Sequence, residues 1–186
     1  IKLVSPHVSD LNFIDLPGIT MIACTDKGQP KDIKEQIRSL IKNYIKKKDT
    51  LIMCVIPARE DIEADIALEL VKEYDHDGSR TIGVLTKIDL MNRNNTIANY
   101  ILNTNISKDL QLKYGYYAVK NNQKYDFKEQ KINEEKYFKN HNLYSDIINT
   151  KRFGIEHLHV SLSHIFIKKI KQNIPKILKT IHSIIE

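Results

Sequence analysis

Three short polar segments, each directly after an apolar run, hold the residues best suited to chemistry: Asp15-Leu16-Pro17-Gly18, Thr86-Lys87-Ile88-Asp89 and Val119-Lys120-Asn121-Asn122-Gln123. A carboxylate fixed at a strand end, as Asp15 would be, can hold a magnesium ion through its water shell. Gly18, three residues on, lets a backbone N–H approach a terminal phosphate with no Cβ in the way. The same Asp-x-x-Gly is also an ordinary turn. Asp89 can accept two parallel hydrogen bonds from the ring N–H and exocyclic amine of guanine, a donor pair that adenine lacks. Against adenine the carboxylate stays unpaired, which makes such a site strongly selective. Lys87 can lay its aliphatic stem along the base while its ammonium reaches backbone oxygens of a phosphate loop. Alternatively, Thr86 and Asp89 simply cap a following helix. The third segment, with Asn121 and Gln123, is placed to close over a base or ribose; taken alone it is an Asn-rich turn.

The elements that must position these residues follow from apolar periodicity. Ile1–Val4 and Val8–Ile14 are β-prone runs separated by Ser5-Pro6-His7, and residues 16–30 read as a long loop opened by Leu16-Pro17-Gly18. Ile33, Ile37, Leu40, Ile41, Tyr44 and Ile45 share one helical face. Leu51–Ile56 and Thr81–Leu85 are continuous apolar runs of the kind that form buried strands of a parallel sheet. Between them Ile62, Ile66, Ala67, Leu70, Val71 and Tyr74 predict a helix closed at Asp75-His76-Asp77-Gly78. Ile97–Ile106 predicts another helix and Tyr114–Val119 a further strand. Strand alternating with helix implies βαβ units, hence a doubly wound α/β fold with a parallel central sheet. Ligands bind such sheets beyond the carboxyl ends of the strands, where all three polar segments fall.

The last third is helical in pattern. Glu134–Lys139 and Tyr144–Asn149 read as short helices, and Ile155, Leu158, Leu162, Ile165, Phe166 and Ile170 mark a long one that Pro175 interrupts. Beyond it Ile177, Leu178, Ile181, Ile184 and Ile185 form an apolar stripe too short to bury itself, so this last helix needs outside partners.

Composition bounds the answer. The 186 residues, 41% hydrophobic and 28% charged with a mean hydropathy of −0.39, suffice for one globular domain or for a domain plus a short appendage. No apolar run approaches the roughly 20 residues of a membrane span, and no basic segment with a long apolar stretch opens the chain. Cys24 and Cys54 are too few for a disulfide framework, so a reducing cytoplasmic setting is expected. A net charge of +6 and pI near 9.1 reflect lysines such as Lys42, Lys46, Lys47 and Lys48 on a helix face, and no nucleic-acid partner is expected. An aspartyl phosphatase built on Asp15 lacks the second acid two residues later, where Pro17 stands. His157, His159 and His164 lack the i, i+4 spacing of a helical zinc site.

Asp-x-x-Gly at one strand end and Thr-Lys-x-Asp at another, about seventy residues later and two βα units on, is far more specific than either part. The pattern resembles a GTPase. Ser5-Pro6-His7-Val8, Asp15-Leu16-Pro17-Gly18-Ile19-Thr20, Gln29-Pro30-Lys31-Asp32-Ile33, Gln36-Ile37-Arg38 and Arg80 to Met91 closely resemble the dynamin family of large GTPases. The likeness is dense from Ser5 to Met91 and continues through Tyr137-Phe138 into the helix with Pro175. It implies that Asp15 and Gly18 sense magnesium and the γ-phosphate of GTP, that Ile19–Lys31 is a switch segment, and that Thr86, Lys87 and Asp89 read guanine. Asn121 and Gln123 would belong to the last base loop, where Lys120-Asn121 departs from the family's usual Asn-Arg pair. Asn92 replaces an acidic residue usual after Met91, in a contact across the catalytic dimer.

No Gly-x-x-x-x-Gly-Lys-[Ser/Thr] occurs in the chain, so no phosphate cradle and no catalytic residue are expected within it. The resemblance implies a fragment: residues 1–174 the C-terminal portion of a dynamin-type GTPase domain, residues 175–186 the start of a bundle-signalling helix hinged at Pro175. The fragment alone is expected to be inactive. The whole protein would bind and hydrolyse GTP with Mg, self-associate through its GTPase domain and stalk, and constrict or divide membranes from the cytoplasmic side through regions outside this chain. The alternative is a non-catalytic, membrane-associated scaffold with a degenerate nucleotide site.

Overall fold

Strands that are to lie inside a parallel sheet must be apolar on both faces, and three segments of this chain meet that demand. In the computed structural model, which describes residues 12–19, 22–58, 61–91, 97–121 and 126–185, they are β1 (Ile52–Pro57), β2 (Thr81–Thr86) and β3 (Tyr116–Ala118). They form one parallel sheet in the order β1-β2-β3, with Ile52 opposite Thr81 and Gly83 opposite Tyr116. The helices are α1 (Ile33–Ile45), α2 (Ile66–Tyr74), α3 (Ala98–Leu102), α4 (Phe127–Asn140) and α5 (Ile155–Ile185).

Alternation along the strands divides the core in two. Ile52, Cys54 and Ile56 of β1, Leu85 of β2, and Tyr116 and Ala118 of β3 pack with Ile45, Leu68, Val71, Ile101 and Phe138 from α1 to α4. Ile82, Val84, Tyr117 and Val119 face the other way, onto Leu158, Ile155, Leu162 and Ile165 of α5. Helices thus cover both faces, and the α/β class expected from the sequence is the observed one. Gly83 lets β2 and β3 close up here, because a Cβ at that position would run into the Tyr116 ring. The α5 face stops short of β1, whose Met53 and Val55 stay exposed.

Several element boundaries differ from the expected ones for identifiable reasons. Residues 12–14, expected to end a strand, have no ladder partner among the described residues, and Phe13 and Ile14 are exposed. Ile1–Val4 and residues 8–11 lie outside the described residues. The helix expected to start at Ile62 is a single tight turn, Ile62–Ala64, followed by α2, because Asp65 caps α2 by accepting from the amides of Ala67 and Leu68. The helix expected over Ile97–Ile106 ends at Leu102. Asn103 adopts left-handed backbone there, and its side-chain amide pairs with both backbone groups of Leu112, at 3.0 and 3.2 Å. The helix expected over Glu134–Lys139 is the longer α4, started by Asp126, whose carboxylate accepts from the amide of Glu129 at 2.9 Å. Tyr144–Asn149 forms tight turns at Asn142–Tyr144 and Ile148–Thr150. Pro175 does not interrupt the long helix: α5 runs through it to Ile185.

Candidate functional site

The loop leaving the carboxyl end of β2 is built with care. Thr86 hydrogen-bonds across to β1, its hydroxyl donating to the Ile56 carbonyl at 3.3 Å and its own carbonyl accepting from Ala58 at 2.8 Å. Lys87 then takes left-handed backbone at φ 57°, a conformation that costs a non-glycine residue about 1 kcal/mol and must be held by its surroundings. It is held from both sides. Ile88 is buried, and the amide of Leu90 closes a tight turn over Ile88–Leu90 by donating to the Lys87 carbonyl at 3.0 Å. This turn carries Lys87 and Asp89 out into solvent as exposed side chains. Among the described residues, neither Thr86 nor Asp89 gives a side-chain cap to the Ile88–Leu90 turn.

The loop leaving β3 lies beside it. The amide of Val119 donates to the Leu85 carbonyl at 2.9 Å, which carries strand pairing one residue beyond β3. Lys120 sits with its ammonium 5.2 Å from the centre of the Tyr137 ring, and the Tyr137 hydroxyl donates to the Ile88 carbonyl at 3.4 Å. Burial, and secondarily the charge of Asp89, push the Tyr137 phenol upward, so it stays a neutral donor at physiological pH. Asn121 is exposed, and its side-chain oxygen accepts from Gln130 at 2.9 Å. The structure therefore brings Thr86, Lys87 and Asp89 together with Lys120 and Asn121, on neighbouring strands and with α4 behind them. Gln123, Asn122 and Asn92 lie outside the described residues.

Asp15 and Gly18 precede α1 in irregular backbone. They belong to the stretch 12–19, which with Met53 and Val55 lines a groove of about 730 Å³ beside β1. Both are exposed, and a Cβ built on Gly18 meets nothing within 4 Å. Among the described residues, neither makes a hydrogen bond or ion pair to residues 86–89. As a magnesium ligand Asp15 would be a single carboxylate, and no group of three or more metal-binding side chains occurs among the described residues. That fits a magnesium ion whose other ligands are phosphate oxygens and water, and does not fit an all-protein metal site.

Sequence reasoning missed the residues that hold this site together: Gln130, Glu134 and Tyr137, all from α4. Their spacing of four and three residues puts them on one helical face, but an exposed-looking polar face reads the same way. No helix among the described residues is long and apolar enough to cross a membrane.

Three parallel strands with helices on both faces make an α/β domain, and its two polar loops leave the carboxyl ends of adjacent strands, where sheets of this class take ligands. Residues 1–88 match a sequence profile described as dynamin family, and residues 100–186 match one described as dynamin central region. The chain is 36% identical over 189 residues to dynamin-related protein 3B of Arabidopsis thaliana, covering 98% of this chain and 23% of that protein. It is 39% identical over 181 residues to dynamin-A of Dictyostelium discoideum, covering 94% and 20%, and 36% identical over 189 residues to dynamin-2 of Bos taurus, covering 98% and 21%. The chain belongs to the dynamin family. It spans about a fifth of the length of these relatives. The two matched segments share one sheet, since β3 from the second pairs with β2 from the first.

Proposed function

We propose that this chain is the guanine-reading part of a GTP-binding, GTP-hydrolysing protein that self-assembles at the cytoplasmic surface of membranes and constricts them. The observation that carries the reading is the left-handed Lys87 and the exposed Asp89 at the end of β2, flanked by Lys120 and Asn121 at the end of β3. Of the four non-glycine residues at positive φ among the described residues, Lys87 alone directly follows a strand, at the end of the sheet where such folds take ligands. Asp89 pairs with the two guanine donors, Lys87 lies along the base, Thr86 fixes the loop to β1, and Asn121 closes the base side together with Gln123. Asp15 and Gly18 contribute to magnesium and the terminal phosphate once GTP is present. Phosphate binding requires groups beyond those described here, so hydrolysis is a property of the whole protein that carries this chain.

Self-association is supported by the exposed Ile174, Ile177, Leu178 and Ile181 of α5, whose spacing repeats one helical face. That same stripe is what a non-catalytic scaffold would use. Nucleotide competition on the whole protein separates the two. Guanine nucleotides should displace a fluorescent GDP far better than adenine nucleotides, and Asp89→Asn should move preference toward xanthine nucleotides, because the amide reverses one donor-acceptor pair. An Asp89→Asn protein with unchanged preference rules out the guanine role, and a wild-type protein that binds no nucleotide leaves the scaffold.

A further inference from the structure

Glu134 is 3% exposed and lies between the loop that leaves β3 and the start of α5. One carboxylate oxygen accepts from the backbone amide of Lys120 at 2.7 Å, in the loop that leaves β3. The other accepts from the backbone amide of Ile155 at 2.8 Å, the first residue of α5. Gly154, at φ 90°, allows this approach: a Cβ there would stand 3.3 Å from the same carboxylate oxygen. A buried carboxylate divided between two backbone donors is satisfied only while both stay in place. Losing either leaves a charged acceptor half-paired in a dry setting.

The neighbours of Glu134 on α4 extend the connection in both directions. Gln130 holds Asn121, and Tyr137 holds the Ile88 carbonyl and the Lys120 ammonium. On the other side Lys131 pairs with Glu156 at 2.6 Å, and Phe138 packs on Phe153 with ring centres 5.0 Å apart. A short parallel bridge also runs from β3 to the start of α5: the Ala118 amide donates to the Arg152 carbonyl at 2.9 Å and the Gly154 amide to the Ala118 carbonyl at 2.8 Å. That bridge fixes the stem of the loop. Among the described residues, Glu134 is the side chain that joins the loop residue Lys120 to the helix residue Ile155.

We infer that Glu134 is a positioning residue that couples the guanine-side loop at Lys120 to the first turn of α5, so that occupancy of the nucleotide site is felt at the base of the long helix. The inference rests on the nucleotide reading above. When a base orders Lys120 and Asn121, the Glu134 carboxylate is held on its loop side and the Ile155 amide is fixed with it. When the loop moves, the carboxylate must follow one donor and release the other. The first turn of α5 then loses its side-chain acceptor.

Amide hydrogen exchange in the whole protein tests this. Without nucleotide, Glu134→Gln, which keeps the volume but turns one acceptor into a donor, should speed exchange at one or both of Lys120 and Ile155 by about tenfold. With GDP, the wild-type protein should slow exchange at Lys120 and Ile155 together, and the variant should slow it at Lys120 alone. Unchanged exchange at both amides in the nucleotide-free variant overturns the inference. So does GDP-induced slowing at Ile155 that survives the substitution, or wild-type protein in which GDP slows Lys120 and leaves Ile155 untouched. The last readout needs no variant to fold. If GDP fails to slow Lys120 in the wild type, the nucleotide reading falls, and the nucleotide-free arm still decides whether Glu134 ties the two amides.

Discussion

Arg80 and Asp75 meet inside the protein, Nε to Oδ1 at 3.7 Å, with side chains 9% and 2% exposed. Neither charge is left short of partners. The guanidinium donates to the carbonyls of Ile45 and Tyr74 at 2.5 and 2.8 Å and to those of Lys47 and Thr50 at 3.2 Å, gathering the carboxyl ends of α1 and α2 at the amino end of the sheet. Asp75 accepts from the Thr81 hydroxyl at 2.5 Å and from the Arg80 amide and Ser79 hydroxyl at 3.2 Å. Removing either partner strands the other charge in the interior. Arg80→Leu or Asp75→Ala should therefore destabilise the fold by about 3–5 kcal/mol. Arg80→Lys should rescue little, since a single ammonium cannot fork to four carbonyls. Urea unfolding measures this, and a loss below about 1 kcal/mol would show that the network is relaxed or solvated.

Gly83 offers a second test of how tightly the sheet is built. Its missing Cβ is the space occupied by the Tyr116 ring, which is itself fully buried and anchored by its hydroxyl to the Leu110 carbonyl at 2.6 Å. Because β2 is the middle strand and the Tyr116 ring is buried against it, Gly83→Ala must displace a ring or a strand, and overpacking of this kind costs about 1–3 kcal/mol. Tyr116→Leu should be destabilising alone yet relieve part of the Gly83→Ala penalty when combined with it. Strictly additive losses in the double-mutant cycle would mean that the two positions do not compete for the same volume.

Most of what fixes the sheet could be read from the chain itself, because β1 and β2 are continuous apolar runs bounded by breakers and such runs have few other ways to be buried. The position of Asp89 was legible for the same reason: it follows a strand that could be placed. Lys87 was not, since nothing in a lysine announces left-handed backbone, and the strain is imposed by Thr86 on one side and buried Ile88 on the other. Glu134 was read as one polar residue in a short helix. Its burial depends on Lys120 and Ile155, which lie fourteen residues before it and twenty-one after it, and no local pattern reports that meeting. Asp15 illustrates the opposite limit: its motif is plain in the sequence, and among the described residues no contact joins it to Asp89.

The two cysteines differ enough to serve as an internal probe. Cys24 is exposed, whereas Cys54 is 3% exposed within β1, and burial, with a smaller contribution from the charge of Asp65, pushes its thiol up to about 12. The thiolate is the nucleophile, so at pH 8 Cys54 has almost none to offer. Iodoacetamide at that pH should modify Cys24 and spare Cys54 until urea opens the core, as read by mass spectrometry of the digested chain. Equal labelling under native conditions would show that the β1 face opens locally.

Pro175 is a conflict left in place within α5. A proline there cannot donate to the Lys171 carbonyl and crowds it, which costs a helix interior about 3 kcal/mol. The helix nevertheless continues to Ile185, with residues 175–185 exposed, so water can satisfy the freed carbonyl while neighbouring turns carry the chain on. Pro175→Ala should strengthen the distal half: exchange at the amides of residues 176–180 should slow, and helical circular dichroism should rise on heating curves. Nucleotide affinity should not change, since the guanine-side loops lie at the other end of the helix. On the proposed function, in which Pro175 is the hinge that carries nucleotide-driven movement to the rest of the protein, the stiffened variant should still bind GTP but lose GTP-dependent self-association, read by sedimentation of the whole protein. Slower exchange with self-association intact would leave Pro175 a local weakness with no part in transmission.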